Sequence, residues 1–180
     1  MPKAMRSMTV FSCIAAVAAA VGYARCGGSV WLSSAVTFGT VFYHLGIRLL
    51  VGAVYNAGMK NRADYTKKRY RLCSWESGLY QFLNVKQWKS KLPTYYPETF
   101  SVTNHTWDEI AQAMCQSELV HETNVILSFV PLFAVRWFGS FSVFFITSLG
   151  AAAFDSLFVI VQRYNRPRVV RLAERKRQLP

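Results

Sequence analysis

Residues 137–161 read WFGSFSVFFITSLGAAAFDSLFVIV, a run in which Asp155 is the one charged side chain. About 20 such residues in a helix cross the hydrocarbon core of a bilayer. Three more apolar stretches approach this length, at about residues 8–24, 29–55 and 119–135. The sequence therefore predicts an all-α integral membrane protein with four transmembrane helices, forming a single membrane domain over residues 1–180.

Composition supports this class. The chain has 180 residues, 52% of them hydrophobic and 15% aromatic, yet its net charge is +12. A soluble domain of this length lacks the interior volume to hide so much apolar surface. Lys3 and Arg6 before the first apolar run also fit a secretory signal peptide cleaved near Ala24, and this alternative stays open.

The basic residues predict the orientation. With four crossings, all of the 21 lysines and arginines except Arg25 and Arg136 fall on one side. Since positive loops stay in the cytoplasm, we expect cytoplasmic termini, a cytoplasmic loop at about residues 56–105 and a basic cytoplasmic tail at 163–180. The basic run at 60–71 is typical of an anchor to anionic lipid headgroups.

Local patterns predict several helix boundaries. Trp75, Leu79, Phe82 and Leu83 recur at helical spacing, which indicates a short amphipathic helix lying in the cytoplasmic membrane interface. Thr106 and Glu109 form a capping-box pattern, so a helix should begin there and run into the third crossing, with a bend at Pro131. Pro167 disfavours helical geometry at the residue before it, so we expect the chain to break near Asn165 and restart as a basic helix.

Charged groups are costly at membrane depth and mark candidate functional sites. Those inside the crossings all map to the cytoplasmic halves, which predicts a polar pocket near the inner leaflet. We expect His44 and Arg48, one turn apart, to form a supporting polar pair, and Asp155 to pair with Arg48 or another buried cation. The cysteines show no metal-ligand spacing, so no metal site is expected. The ionisable residues that map to the cytoplasmic halves of the crossings are His44, Arg48, Glu118, His121, Glu122 and Asp155.

Glu118 and His121 are three residues apart and therefore share a helix face. A carboxylate that orients an imidazole suits a general base that removes a proton from a hydroxyl. The alternative is a structural hydrogen bond that seats the helix entrance. The run Gln162-Arg163-Tyr164-Asn165-Arg166-Pro167-Arg168 supplies guanidinium groups suited to phosphate or carboxylate oxygens. A plain positive-inside anchor remains the alternative for this run.

Three segments carry a resemblance to a known family. Phe158 to Arg168 (FVIVQRYNRPR) resembles the C-terminal signature of the glycosyl-4,4′-diaponeurosporenoate acyltransferases. Glu118 to His121 (ELVH) is similar to the family's A-E-L-x-H segment, with Ser117 in place of the alanine, and Val85 to Lys91 (VKQWKSK) is similar to its V-x-K-W-K-x-K segment. The resemblance covers roughly Glu76 to the C-terminus.

That family attaches a fatty acyl chain to the sugar of a glycosylated carotenoid in bacteria such as staphylococci. The resemblance implies acyl transfer to a lipid-linked hydroxyl at the bacterial plasma membrane, with acyl-CoA or another acyl thioester as co-substrate and no bound cofactor. Expected partners are membrane lipids and the lipid-linked acceptor, with no nucleic acid and with a homo-oligomer left open.

In the mechanism that combines these observations, His121 is the base and Glu118 orients it. The anionic parts of the donor and the developing oxyanion are held by Lys86, Lys89, Arg163 and Arg166. Cys115 remains an alternative nucleophile. Two other classes stay open, a non-catalytic lipid-binding or assembly subunit and a small transporter, although the uncharged outer halves argue against the transporter. The expected substrate-binding residues are Lys86, Trp88, Lys89, Arg163, Tyr164, Asn165, Arg166, Arg168, His44, Arg48 and Asp155.

Overall fold

Helices account for all the regular structure in the part of the chain that the computed structural model describes, residues 2–94 and 96–178. Four helical segments are long and apolar enough to cross a membrane: Lys3–Cys26, Ser29–Met59, Trp107–Phe138 and Phe141–Gln178. The predicted fold class, an all-α integral membrane protein, is confirmed. The first three segments reach beyond the predicted crossings. The fourth begins at Phe141 rather than at the predicted Trp137, which belongs to the third segment, and it continues to Gln178. The α-helices are α1 Pro2–Cys26, α2 Ser29–Met59, α3 Ser74–Phe82, α4 Val85–Trp88, α5 Trp107–Leu127, α6 Val135–Phe138 and α7 Phe141–Gln178.

Contacts group the chain into two compact units. One comprises the residues up to Gly52 together with Asn124–Ala153, and the other comprises Ala53–Thr123 together with the residues from Phe154 onward. The long helices α2, α5 and α7 run through both units. The single membrane domain expected from the sequence stays a prediction, and its last two residues, 179 and 180, lie outside the described part of the chain.

A glycine turn joins α1 to α2 in the first unit. Gly27 and Gly28 have φ angles of +65° and +90°, a region that glycine enters without steric cost. The helices then pack closely, because a Cβ placed on Gly22 would come within 2.5 Å of the Trp31 ring. Glycine at position 22 is therefore what allows the tryptophan to lie against α1.

The third crossing begins and bends where the sequence predicts. The backbone N–H of Thr106 donates to the Glu109 carboxylate at 2.8 Å, and the Glu109 N–H donates to the Thr106 hydroxyl at 3.3 Å. This confirms the capping box. α5 ends at Leu127 and a 3₁₀ turn follows over Val130–Ala134, with Pro131 near its start. The Tyr43 hydroxyl donates to the Leu127 carbonyl at 2.8 Å, which satisfies one of the acceptors freed at the helix end.

The predicted break near Asn165 is wrong, because α7 continues through Pro167 to Gln178. Proline lacks an N–H, so the helix loses one hydrogen bond at this point. Side chains on both sides hold the helix in place. Arg163 and Arg166 bind groups of the same unit before Pro167, and Arg177 donates to the Tyr65 hydroxyl at 2.7 Å after it.

The loop after α2 contains the predicted amphipathic helix, α3. Trp75 and Phe82, two members of the expected apolar face, are exposed, as required of a face that would lie on lipid. The opposite face is unexpected, since Glu76 and Tyr80 are both buried there. α3 therefore presents apolar side chains outward and a carboxylate inward.

Candidate active site

An imidazole and a carboxylate from two long helices meet in the second unit. Nδ1 of His121, on α5, lies 2.9 Å from Oδ1 of Asp155, on α7. The Asp155 side chain is 1% exposed. Phe158, three residues after Asp155 on the same face of α7, stacks on the imidazole with 4.6 Å between ring centroids and 10° between planes. These two contacts fix the ring and leave Nε2 as the nitrogen that can face a substrate.

Glu118 does not bind His121, the partner expected from the three-residue spacing, but binds two arginines instead. Its Oε1 accepts from Arg163 at 2.6 Å, and its Oε2 accepts from Arg166. The carboxylate partner of His121 is Asp155, so the predicted orientation of His121 by Glu118 is wrong. The physical reason is that two guanidiniums, both from α7, bind the buried Glu118 carboxylate through charge-assisted hydrogen bonds.

Arg163 links α7 to the loop. Its guanidinium makes a two-bond fork with the Glu76 carboxylate, with N–O distances of 2.8 and 2.5 Å. It also donates to the backbone carbonyls of Arg69 and Arg71, at 3.2 and 3.1 Å. Together with its bond to Glu118, one side chain therefore ties α3, α5 and the basic run to α7.

Arg166 is the most deeply placed cation of this network, with 2% of its surface exposed. It donates to the Tyr70 carbonyl at 2.5 Å in addition to Glu118, and its guanidinium lies 5.1 Å from the centroid of the Tyr70 ring. A charge this deep requires pairing, and every contact named here is an acceptor or an aromatic face. We call Glu76, Glu118, Arg163 and Arg166 the buried ion network.

The sequence reasoning missed Glu76, the loop member of this network. Burial alone would raise the pKa of Glu76, but hydrogen bonds from Arg163, Tyr80 and the Cys73 backbone lower it to about 2. Burial, reinforced by the Glu76 carboxylate, raises the pKa of Tyr80 above its usual range. One sequence signal pointed to Glu76, since Asp64 is the only other acid between Lys60 and Lys91.

The buried ion network is an internal framework. The Arg163 and Arg166 donors described above already reach carboxylates or carbonyls of the chain. Binding of a donor anion by either arginine, as expected from the sequence, would require these bonds to be exchanged. That role stays a prediction, and the observed bonds describe a support for the helices that carry His121 and Asp155.

A second basic group lies at α4 and the following turn. Lys89 donates to Oδ1 of Asn165 at 2.6 Å and lies 4.7 Å from the centroid of the Tyr164 ring. Burial, and then the positive charges of Arg168 and Lys86, lower the pKa of Lys89. The structure thus brings together five of the residues expected to bind substrate, which are Lys86, Lys89, Tyr164, Asn165 and Arg168.

Trp88, His44 and Arg48 are the remaining residues of the expected substrate-binding set. Nε1 of Trp88 donates to the Leu83 carbonyl at 2.8 Å, which fixes the tryptophan on its own loop. His44 and Arg48 lie in the first unit, where Arg48 donates to the His44 carbonyl at 2.6 Å and to the Ala151 carbonyl at 3.0 Å. Arg48 therefore binds the backbone of His44, and the polar pair of their side chains stays a prediction.

Cys115, the alternative nucleophile, is fully buried and packs with Ala63 and Tyr70 in an apolar cluster. Burial disfavours the thiolate, which is the nucleophilic form, so this thiol is poorly suited to react. Within residues 2–94 and 96–178, no three His, Cys, Asp or Glu side chains come together as a metal site would require.

Fold and site together define a helical membrane protein. An imidazole–carboxylate pair is held on two long helices, and a buried ion network joins those helices to a basic loop. Residues 61–175 match the family model described as glycosyl-4,4′-diaponeurosporenoate acyltransferase. The chain belongs to this family and is an acyltransferase. The match begins earlier than the Glu76 expected from the resemblance, and it lies entirely after α2. Comparison with curated proteins and with solved structures found no match.

Proposed function

We propose that this acyltransferase moves a fatty acyl chain from an acyl thioester to a hydroxyl of a lipid-linked acceptor, with His121 as the general base. The acceptor is a glycolipid or a glycosylated isoprenoid, in keeping with the substrate named in the family description. The observation that carries the proposal is the 2.9 Å contact between His121 and the buried Asp155. It supplies the oriented imidazole that acyl transfer to a hydroxyl requires.

In the proposed reaction, the acceptor O–H gives its proton to Nε2 of His121 as its oxygen attacks the thioester carbonyl. The carbon–sulfur bond then breaks, and the departing sulfur takes the proton back from the imidazolium. Asp155 accepts a hydrogen bond from Nδ1–H, which sets the tautomer and stabilises the imidazolium. Asp155 thus takes the orienting role that the sequence assigned to Glu118.

Charge supports a location at the cytoplasmic face of a bacterial plasma membrane, with both termini in the cytoplasm. The loop that carries α3 and α4 and the end of α7 hold most of the basic residues. Such segments remain on the cytoplasmic side and are attracted to anionic lipid. An acceptor anchored in the inner leaflet would present its hydroxyl at this level.

Membership in an enzyme family favours catalysis over the alternative of a non-catalytic lipid-binding or assembly subunit. The same membership disfavours the small transporter.

The test compares His121→Gln and Asp155→Asn with wild type in purified protein supplied with acyl-CoA and glycolipid acceptors. Glutamine keeps a polar side chain but cannot accept the proton, so turnover should fall by about 10²- to 10⁴-fold. Asp155→Asn should lower turnover and alter its pH profile. His105→Gln is the matched control, because His105 is 39% exposed and contacts only Glu109 among the ion pairs described.

Full turnover in His121→Gln would eliminate the proposed base. No transfer across a broad set of donors and acceptors, from a folded preparation, would favour the lipid-binding subunit.

A further inference from the structure

We propose that Lys86, Lys89 and Arg168 form an anion site that holds the phosphate of a phosphopantetheine thioester, the class of acyl donor to which coenzyme A thioesters belong. This inference rests on the proposed function, because it names the donor for the same reaction. We call these three residues the basic cluster. Its distinguishing feature is that Lys89 lies near two other cations while it donates to a neutral side-chain amide.

Charge balance is the first argument. The ion-paired carboxylates described in the same unit have other partners. Arg163 binds Glu76 and Glu118, and His121 contacts Asp155. The remaining pairs are Arg69 with Glu122, Arg177 with Asp108 and His105 with Glu109. The oxygen that Lys89 reaches belongs to the neutral amide of Asn165, and its other neighbour is the Tyr164 ring. Lys89 is half-buried, whereas Lys86 and Arg168 are exposed. Placing a half-buried cation beside two like charges costs free energy, and a bound anion would recover it.

The shift of Lys89 agrees with this argument. Burial and the nearby Arg168 and Lys86 charges lower the pKa of Lys89, and no carboxylate within residues 2–94 and 96–178 is among the causes that would offset them. A phosphate bound at this place would reverse the shift.

The loop that carries the cluster is pre-organised. Asn84 adopts a left-handed backbone conformation with φ of 50° just before α4, which sets the direction of the turn. Trp88 is fixed by its bond to the Leu83 carbonyl. Lys86 and Lys89 are three residues apart, so both side chains leave the same side of this turn. A rigid pair of cations binds an anion with less loss of conformational entropy than a flexible pair does.

Distance identifies the donor class. Lys89 is held at Asn165, and His121 is held at Asp155, ten residues earlier on the same helix. At about 1.5 Å per residue, the two points lie about 15 Å apart along α7. In a phospholipid, the phosphate is only a few bonds from the acyl ester, so it could not reach the basic cluster while its ester faced His121. A phosphopantetheine thioester carries a long arm between its phosphate and its thioester carbonyl, and this arm can span the distance.

The experiment measures binding by full-length protein in zwitterionic detergent, using isothermal titration with coenzyme A and with pantetheine, which has the same arm without phosphate. Wild type should bind coenzyme A more tightly than pantetheine. Lys89→Gln should weaken coenzyme A binding by about tenfold, the loss of one charge-assisted hydrogen bond, and the triple glutamine variant of the cluster should weaken it further. Lys68→Gln, an equal charge change at an exposed site, should leave the affinity unchanged.

A second pair of titrations separates two sources of the same arm. An acyl carrier protein bearing phosphopantetheine is compared with its unmodified form. Preference for the modified form identifies the carrier protein as a source, and tight binding of coenzyme A identifies the free thioester.

Equal affinities for coenzyme A and pantetheine would overturn the inference. So would an equal loss of affinity in Lys68→Gln, or a triple variant that keeps coenzyme A affinity and loses only binding to anionic lipid vesicles. His121→Gln should bind coenzyme A as wild type does. The site therefore stands if transfer fails but Lys89→Gln weakens binding, and it falls if transfer proceeds with a donor KM that Lys89→Gln does not change.

Discussion

Replacing Arg166 by methionine tests whether the buried ion network supports the fold. The guanidinium is 2% exposed and donates to Glu118 and to the Tyr70 carbonyl. Removing one partner of a buried ion pair costs about 3 to 5 kcal/mol, because the other charge stays buried. Arg163 still binds Glu118 in this variant, so we expect a loss at the lower end, about 3 kcal/mol.

Three matched variants should differ in how much each lowers the free energy of unfolding. The loss should increase with the number of buried carboxylates that lose a guanidinium partner. Arg163→Met removes the partner of both Glu76 and Glu118 and should cost about 5 kcal/mol. Arg166→Met should be intermediate. Arg168→Met, an exposed position on the same helix, should change the free energy of unfolding by no more than about 0.5 kcal/mol.

A buried thiol reports the unfolding. Cys115 packs against Tyr70, the residue whose carbonyl Arg166 binds. In a background without Cys13, Cys26 and Cys73, a thiol-reactive dye reacts only when the region around Cys115 opens. On heating in detergent, a loss of about 3 kcal/mol should lower the midpoint by about 6 to 12 °C for a chain of this length.

The reasoning would be refuted if Arg166→Met melted at the wild-type temperature or together with Arg168→Met. Either result would mean that the network contributes nothing to holding the loop on α5 and α7.

Acid should weaken the protein through Glu76, because the pKa of its carboxyl is lowered from 4.5 to about 2. Its contribution to the free energy of unfolding, about 3 kcal/mol, is full above pH 4.5 and is lost as the pH falls toward 2. Glu76→Gln should flatten this part of a curve of stability against pH. Gly22→Ala should destabilise the α1–α2 hairpin by about 1 to 3 kcal/mol, since the new methyl group would overlap Trp31, whereas Gly58→Ala in open space should be neutral or stabilising in the same melting assay. A reporter fused at Ser90 should give a cytoplasmic signal, and an external signal there would contradict the proposed orientation.

Features set by neighbouring residues could be predicted from the sequence. The four crossings follow from the lengths of the apolar runs. The start of α5 follows from the three-residue spacing of Thr106 and Glu109, and its bend from Pro131. Each of these depends on residues that are close together in the sequence, so the order of residues determines it directly.

Features that depend on contacts between residues far apart in the chain could not be predicted from the sequence. Spacing places Glu118 and His121 on one face, but their partners come from α7, between 34 and 48 residues further along the chain. The local effect of Pro167 was likewise outweighed by contacts on either side of it. Glu76 escaped notice because its burial depends on an arginine 87 residues away.

Asp155 and Arg163 lie on one uninterrupted helix, α7, so the number of residues between them fixes the relative directions of their side chains. Adding or deleting a single residue within it would turn everything beyond by about 100°. Arg163 would then face away from Glu118 and Glu76 while Asp155 still met His121. The number of residues between Asp155 and Arg163 is therefore constrained. Insertions and deletions should be tolerated only in the loops and at the ends of this helix.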